Sequence, residues 1–232
     1  MFKTTTKKDE KFIIEEFNRI KNKGFVKGVR KGNSNVGLTF EKLLGVKENC
    51  KQLPDFSGFE IKTKRKNSSS LSTLFTKAPL PKGSNPILRW EYGITYQDFR
   101  VGYYNGSGNY QVTVDVCDDE CKIKLNVIDV NSRRICCNNI YWNYSDLENS
   151  IRKKLKSLIF ISAETEIING KEYFHYTNAK IFYNPNIYNF IELIRNNTIT
   201  IQMRFGDDGD HGTAFRIPEK KLHLIYDKIV EI

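Results

Sequence analysis

Apolar residues recur at two periods along the chain. Phe12, Ile13, Phe17 and Ile20 repeat at helical spacing after the polar Thr6-Lys7-Lys8-Asp9, which predicts an opening helix over 9–22. Thr39 to Leu44 predicts a short helix, with Thr39 as N-cap and Gly45 as its stop. Leu147, Ile151, Leu155 and Leu158 predict a helix over 147–158. Two more are expected over Ile187–Arg195 and, closing the chain, Lys220–Val230. Period-two or continuous apolar runs predict strands at Phe59–Thr63, Ile87–Thr95, Val101–Tyr104, Tyr110–Val116, Lys122–Val130, Thr198–Phe205 and Thr213–Ile217. Ile159–Ile168 and Tyr173–Tyr183 flank Asn169-Gly170, the strongest hairpin signal in the sequence. Helices interspersed with antiparallel runs predict an α/β or α+β fold, of which α/β is the reading taken, around a central mixed sheet.

Composition narrows the class. A chain of 232 residues predicts one large domain, long enough to bury a core without disulfides or a structural metal. No apolar run approaches the roughly 18–20 residues of a membrane span, so no membrane is expected. The basic first ten residues lack the apolar stretch of a signal peptide, so the expected location is cytoplasmic.

Charge asks for an anionic partner, and it is unevenly placed. Residues 1–66 hold 17 Lys and Arg against 8 Asp and Glu, whereas residues 67–232 hold 20 against 19. Clustered cations suit a phosphate backbone, bound by counterion release; they also suit a merely solvated surface. The five cysteines, Cys50, Cys117, Cys121, Cys136 and Cys137, are odd in number and poorly spaced for zinc, and the residues around 117–137 alternate like a hairpin. His175, His211 and His223 lack a two-histidine metal spacing.

The segment that carries chemistry is Pro54-Asp55-Phe56-Ser57-Gly58-Phe59-Glu60-Ile61-Lys62. On a strand, Glu60 and Lys62 point the same way, about 7 Å apart along the backbone, while Ile61 points to the other face. Asp55 arrives from the preceding turn. Two hard carboxylates suit Mg²⁺, which polarises a phosphate and acidifies a bound water. An adjacent ammonium can orient that water and offset the charge of the phosphorane. This is the pattern of PD-(D/E)xK nucleases; the competing reading is an edge strand of alternating charge facing solvent.

The wider sequence resembles the MvaI/BcnI family of restriction endonucleases, relatives of the mismatch-repair nickase MutH. The resemblance is carried by Gly32-Asn33 and Val36 through Gly45, by Leu53-Pro54-Asp55, by Phe59 through Arg65, by Ser69 through Thr76, and by His211 through Ile217. Residues 97–190 do not match motif by motif. The resemblance implies a single nuclease domain over 1–232 with the PD-(D/E)xK fold. Its catalytic lobe would span about 1–96 and its DNA-recognition lobe about 97–232. It implies a monomeric type II enzyme that uses Mg²⁺, with Mn²⁺ as a substitute, to cut double-stranded DNA at a short site of CCNGG type. A cognate DNA methyltransferase is expected in the same system, without a stable complex. Asp55, Glu60 and Lys62 fall on the catalytic positions, and Glu41 on a supporting helix carboxylate, where a helix surface charge is the alternative. The metal set is Asp55, Glu60 and the main chain of Ile61. A nickase activated by a partner and a catalytically inactive DNA-binding protein remain competing functions.

Other residues are candidates for DNA contact. Lys64 and Arg65 extend the catalytic strand toward phosphates. Arg204, Asp207, Asp208, Asp210, His211 and Arg216 surround a loop between two strands. It is either a polar turn or a major-groove reader in which arginines contact guanine and a carboxylate accepts from cytosine N4. Lys27, Arg30 and Lys31 on a Gly-rich loop are weaker candidates. Tyr103, Tyr104 and Tyr110 suit cross-strand packing better than DNA contact.

Overall fold

The structure, a computed structural model, describes residues 5–45, 56, 58–87, 94–95, 101–102, 110–129, 134–136, 139–206 and 209–232. By packing, the chain forms two compact units: Met1–Ser70 with Arg152–Pro185 and Tyr226–Ile232, and Leu71–Ile151 with Asn186–Ile225. Each is assembled from segments far apart in sequence.

The first unit is built on a mixed five-stranded sheet. Its spine is the hairpin of β10 (Ser157–Ile168) and β11 (Lys171–Pro185). Asn169 and Gly170, at φ 50° and 70°, make the turn in the left-handed region that matches strand twist. β2 (Glu60–Arg65) pairs parallel to β10, with Glu60 opposite Leu158 and Lys62 opposite Phe160. On the other side of the hairpin, β1 (Val26–Lys27) and β14 (Tyr226–Glu231) pair antiparallel with opposite ends of β11.

Two helices supply apolar stripes to this unit's core. α1 (Lys7–Lys21) opens with Thr6 and Asp9 capping each other and buries Ile13, Phe17 and Ile20. α2 (Asn35–Leu43) buries Val36 and Phe40. Both stripes pack with Ile61, Ile159, Ile161, Phe174, Tyr176 and Ile181. Alternation along β2 therefore leaves Glu60 and Lys62 on the sheet's other face.

The second unit holds a three-stranded sheet of β3 (Ser72–Thr76), β12 (Thr200–Gly206) and β13 (Gly209–Ile217), in the order β12-β13-β3. It also holds a sheet of β6 (Tyr110–Cys117), β7 (Lys122–Asp129), β8 (Arg134–Cys136) and β9 (Tyr141–Asn143), and a ribbon of β4 (Ile94–Thr95) and β5 (Val101–Gly102). Phe75 stacks on Phe190 and Phe215, Trp142 meets Phe215 edge-on, and the Trp142 indole donates to Lys77 O at 2.9 Å. α4 (Ile187–Arg195) contributes Phe190 and is capped by the Asn186 side chain. The division between units falls within α3 (Tyr144–Lys154), between Ile151 and Arg152.

Some expectations are corrected. The closing helix is a short 3-10 turn, Glu219–Ile225, followed by β14. The free edge of β11 pairs that segment as a strand, and Ile229 and Val230 suit it. The short helix starts at Asn35 rather than Thr39, and Leu158 belongs to β10 rather than to the preceding helix. Residues 88–93, Tyr103 and Tyr104 lie outside the described residues, as do Cys50 and Cys137. Cys117 and Cys121 are free thiols, and Cys121 sits in the β6–β7 turn at φ 50°.

Candidate active site

β2 presents Glu60 and Lys62 as the alternation requires. Lys62 Nζ donates to Glu60 Oε1 at 3.0 Å. Glu60 is 6% exposed, an unusual place for a carboxylate unless its charge is offset. A second ammonium does part of that: Lys154 Nζ, in the last turn of α3, donates to Glu60 Oε2 at 3.5 Å. Each carboxylate oxygen thus faces its own cation, one fixed by strand alternation and one delivered by a helix end. The Tyr226 hydroxyl, at the start of β14, is buried and has no hydrogen-bond partner among the described residues. Burial, and then the negative charge of Glu60, push its phenol well above its usual range, so it stays a neutral hydroxyl.

Local pattern does not single out Lys154 or Tyr226. Lys154 ends the run Arg152-Lys153-Lys154 at a helix C-terminus, where cations are expected from the helix dipole alone. Tyr226 reaches the site only because β14 pairs with β11.

The other expected residues are placed as follows. Asp55 lies outside the described residues. Ile61 is buried in the core, with its main chain on the ladder to β10. Glu41 stands on α2, the helix that covers the Ile61 and Thr63 face of β2. That helix approaches the strand closely at Gly37, where an added Cβ would meet Thr63 Oγ1 at 3.0 Å and Glu41 Oε1 at 3.9 Å. Lys64, 9% exposed, donates to Ser70 O.

Arg65 is engaged on three sides. Its Nε and Nη2 donate to Glu172 Oε1 at 3.1 and 2.7 Å, Nη1 to Asn33 O and Nη2 to Gly32 O at 3.1 Å each. In the second unit, Arg216 donates to Gln202 Oε1 at 2.7 Å and to Leu71 O at 2.6 Å. Asp207 and Asp208 lie outside the described residues, as do the side chains of Arg204, Asp210 and His211, whose backbones run on β12 and β13.

Among the described residues, no three His, Cys, Asp or Glu side chains cluster so as to hold a metal ion. Glu60 offers the hard carboxylate oxygens that suit a divalent cation, which would take an oxygen now facing the Lys62 or Lys154 ammonium. Among the described residues no helix is long and apolar enough to cross a membrane.

Comparison with known proteins bears on this geometry. The chain is similar to a restriction endonuclease MvaI–cognate DNA substrate complex, with a TM-score of 0.88 at 31% identity, covering 98% of this chain and 99% of that one. It is also similar to restriction endonuclease MvaI in the absence of DNA, with a TM-score of 0.59 at 32% identity and 99% of each chain covered. No curated protein sequence matches the chain. The sequence model of the MvaI/BcnI restriction endonuclease family matches residues 14–226, and the chain belongs to that family.

Proposed function

We propose that this chain is a Mg²⁺-dependent type II restriction endonuclease of PD-(D/E)xK architecture, hydrolysing phosphodiesters of double-stranded DNA at a short specific site. The observation that carries the reading is Lys62 on Glu60 at 3.0 Å, on a parallel strand of the central sheet, within a chain of restriction endonuclease family. The relative solved with its cognate DNA substrate supports DNA as the substrate.

The residues divide the chemistry. Hydrolysis joins a water oxygen to phosphorus and breaks one P–O ester bond, leaving a phosphomonoester and a hydroxyl. Mg²⁺, when bound, supplies Lewis-acid polarisation of the phosphate and a more acidic water. Glu60, with Asp55 and the Ile61 carbonyl, would hold it. The Lys62 ammonium stands beside the metal-binding carboxylate, where it can orient the attacking water and offset charge growing on phosphorus. Lys154 acts through Glu60 as a positioning residue, since fixing the second oxygen fixes the plane of the carboxylate. Glu41 supports the site from α2. Base reading falls to the β12–β13 region, through Arg204, Asp207, Asp208, Asp210, His211 and Arg216, at a site of CCNGG type. The enzyme acts as a monomer, in a catalytic and a recognition lobe, alongside a cognate methyltransferase.

The test is direct. Purified protein with Mg²⁺ is expected to cut plasmid DNA into discrete fragments, with Glu60→Ala inactive and sequenced ends giving the site. Intact plasmid under all metal conditions overturns the reading. Single-strand nicking that requires an added protein would turn it into the MutH-like alternative.

A further inference from the structure

Lys27, which ends β1, and the loop of residues 28–33, Gly-Val-Arg-Lys-Gly-Asn, form a segment without a carboxylate beside the tip of β11. Its backbone is tied down at every turn. Gly28 N donates to Glu172 O at 2.8 Å, Val29 N to Thr39 Oγ1 at 3.2 Å, and Arg30 N to Asn35 Oδ1 at 3.1 Å. Arg65 clasps the carbonyls of Gly32 and Asn33. Asn35, 1% exposed, passes its amide to Glu172 Oε2 at 2.8 Å and so joins both halves of the network. Gly28 is required here, because a Cβ would stand 2.4 Å from Asn35 Nδ2.

The fixed backbone displays exposed charge. Lys27, Arg30 and Lys31 are exposed, as is Lys171 across the adjoining groove of about 770 Å³. None of these four forms a salt bridge among the described residues, and the Arg30 guanidinium donates only to the Ser34 hydroxyl. The one carboxylate lining the groove, Glu172, is already held by Arg65 and Asn35.

We infer that this loop and Lys171 grip the phosphate backbone of duplex DNA, without reading its sequence, outside the scissile step. The inference rests on the nuclease reading above. A compact anion such as free phosphate is enclosed by backbone N–H groups. Here the N–H groups of residues 28–30 are turned inward and used, and the charge is carried on long exposed side chains, suited to an extended polyanion. Position agrees: Arg65 closes β2 five residues after Glu60, about 16 Å along the strand. That is on the order of five base-pair rises from the reacting phosphate.

The experiment replaces Lys27, Arg30, Lys31 and Lys171 by Gln and measures anisotropy binding to cognate and unrelated duplexes, without metal, across a NaCl series. The expected result is weaker binding to both duplexes and a log–log salt slope shallower by up to about 3.6, near 0.9 per lost phosphate contact. Thermal stability is unchanged. The control Lys11→Gln/Lys180→Gln keeps the wild-type slope. An unchanged slope in the quadruple variant, an equal change in the control, or competition by millimolar inorganic phosphate overturns the grip while leaving the nuclease reading intact. A wild type that cuts no DNA overturns the nuclease reading instead, and one that binds none overturns both.

Discussion

Lys154 Nζ stands 3.5 Å from Glu60 Oε2, on the oxygen that Lys62 leaves to it. A carboxylate with a single ammonium can pivot about that contact, whereas two hold its plane. Lys154→Met removes the second without adding a polar group. The expected outcome is a fall of about 10- to 100-fold in single-turnover cleavage, the usual effect of losing a residue that orients a metal ligand. DNA affinity without metal is expected to hold, and Lys154→Arg to recover part of the rate. A Lys154→Met enzyme as fast as wild type would remove Lys154 from the site.

The contrast between Lys62 and Lys154 shows what the sequence makes legible. Glu60 and Lys62 are two residues apart, so strand alternation alone puts them together, and the strand reading needed only local pattern. Lys154 lies 94 residues from Glu60 in sequence and meets it through the parallel pairing of β10 with β2, a non-local event no spacing encodes. The same reason explains β14. Its helix-like apolar spacing was overridden by the open edge of β11, while the Asn169-Gly170 hairpin was legible because its turn chemistry is local. A cut of the sequence near residue 96 likewise separates Glu60 from β10, because the first unit closes with segments 152–185 and 226–232.

Gly37 sets how near α2 comes to β2. Ala is the better helix former by about 1 kcal/mol, so Gly37→Ala would ordinarily stabilise. Here the new methyl meets Thr63 Oγ1 at 3.0 Å and one of the two elements must give way. The expectation is no gain in the denaturant midpoint and a reduced cleavage rate, as the strand bearing Glu60 and Lys62 shifts. Combining it with Thr63→Ala, which removes the opposing oxygen, is expected to restore both. A plain increase in stability for Gly37→Ala alone would show that Thr63 yields freely.

Tyr226 keeps a buried hydroxyl without a hydrogen-bond partner among the described residues, close enough to Glu60 for its charge to be felt. An unsatisfied buried hydroxyl is destabilising by about 1–3 kcal/mol, so Tyr226→Phe is expected to leave the unfolding free energy unchanged or higher. If the hydroxyl instead serves Glu60 during the reaction, the variant loses rate while keeping stability. Denaturant unfolding and single-turnover cleavage separate the two effects. A clear loss of stability would show that the hydroxyl is satisfied in solution.

Glu172 ties the basic loop to the sheet, and its titration gives the tie a pH signature. Burial, the largest single influence, pushes its pKa up from 4.5. Hydrogen bonds from Asn35 and Arg65, with the Arg65 charge, together outweigh burial and hold it below that value. A carboxyl with a lowered folded pKa binds fewer protons folded than unfolded in the range between the two values. Its stabilisation is therefore complete above the unfolded value and drains away as pH falls through the folded one. Glu172→Gln removes that titration while keeping a side chain of similar shape. Unfolding free energies from about pH 6 to about pH 3 are expected to show wild type the more stable at the upper end, with the gap closing in acid. A gap that stays constant across the range would mean that the Glu172 charge does not hold the loop, and that Gly28, Thr39 and Asn35 suffice without it.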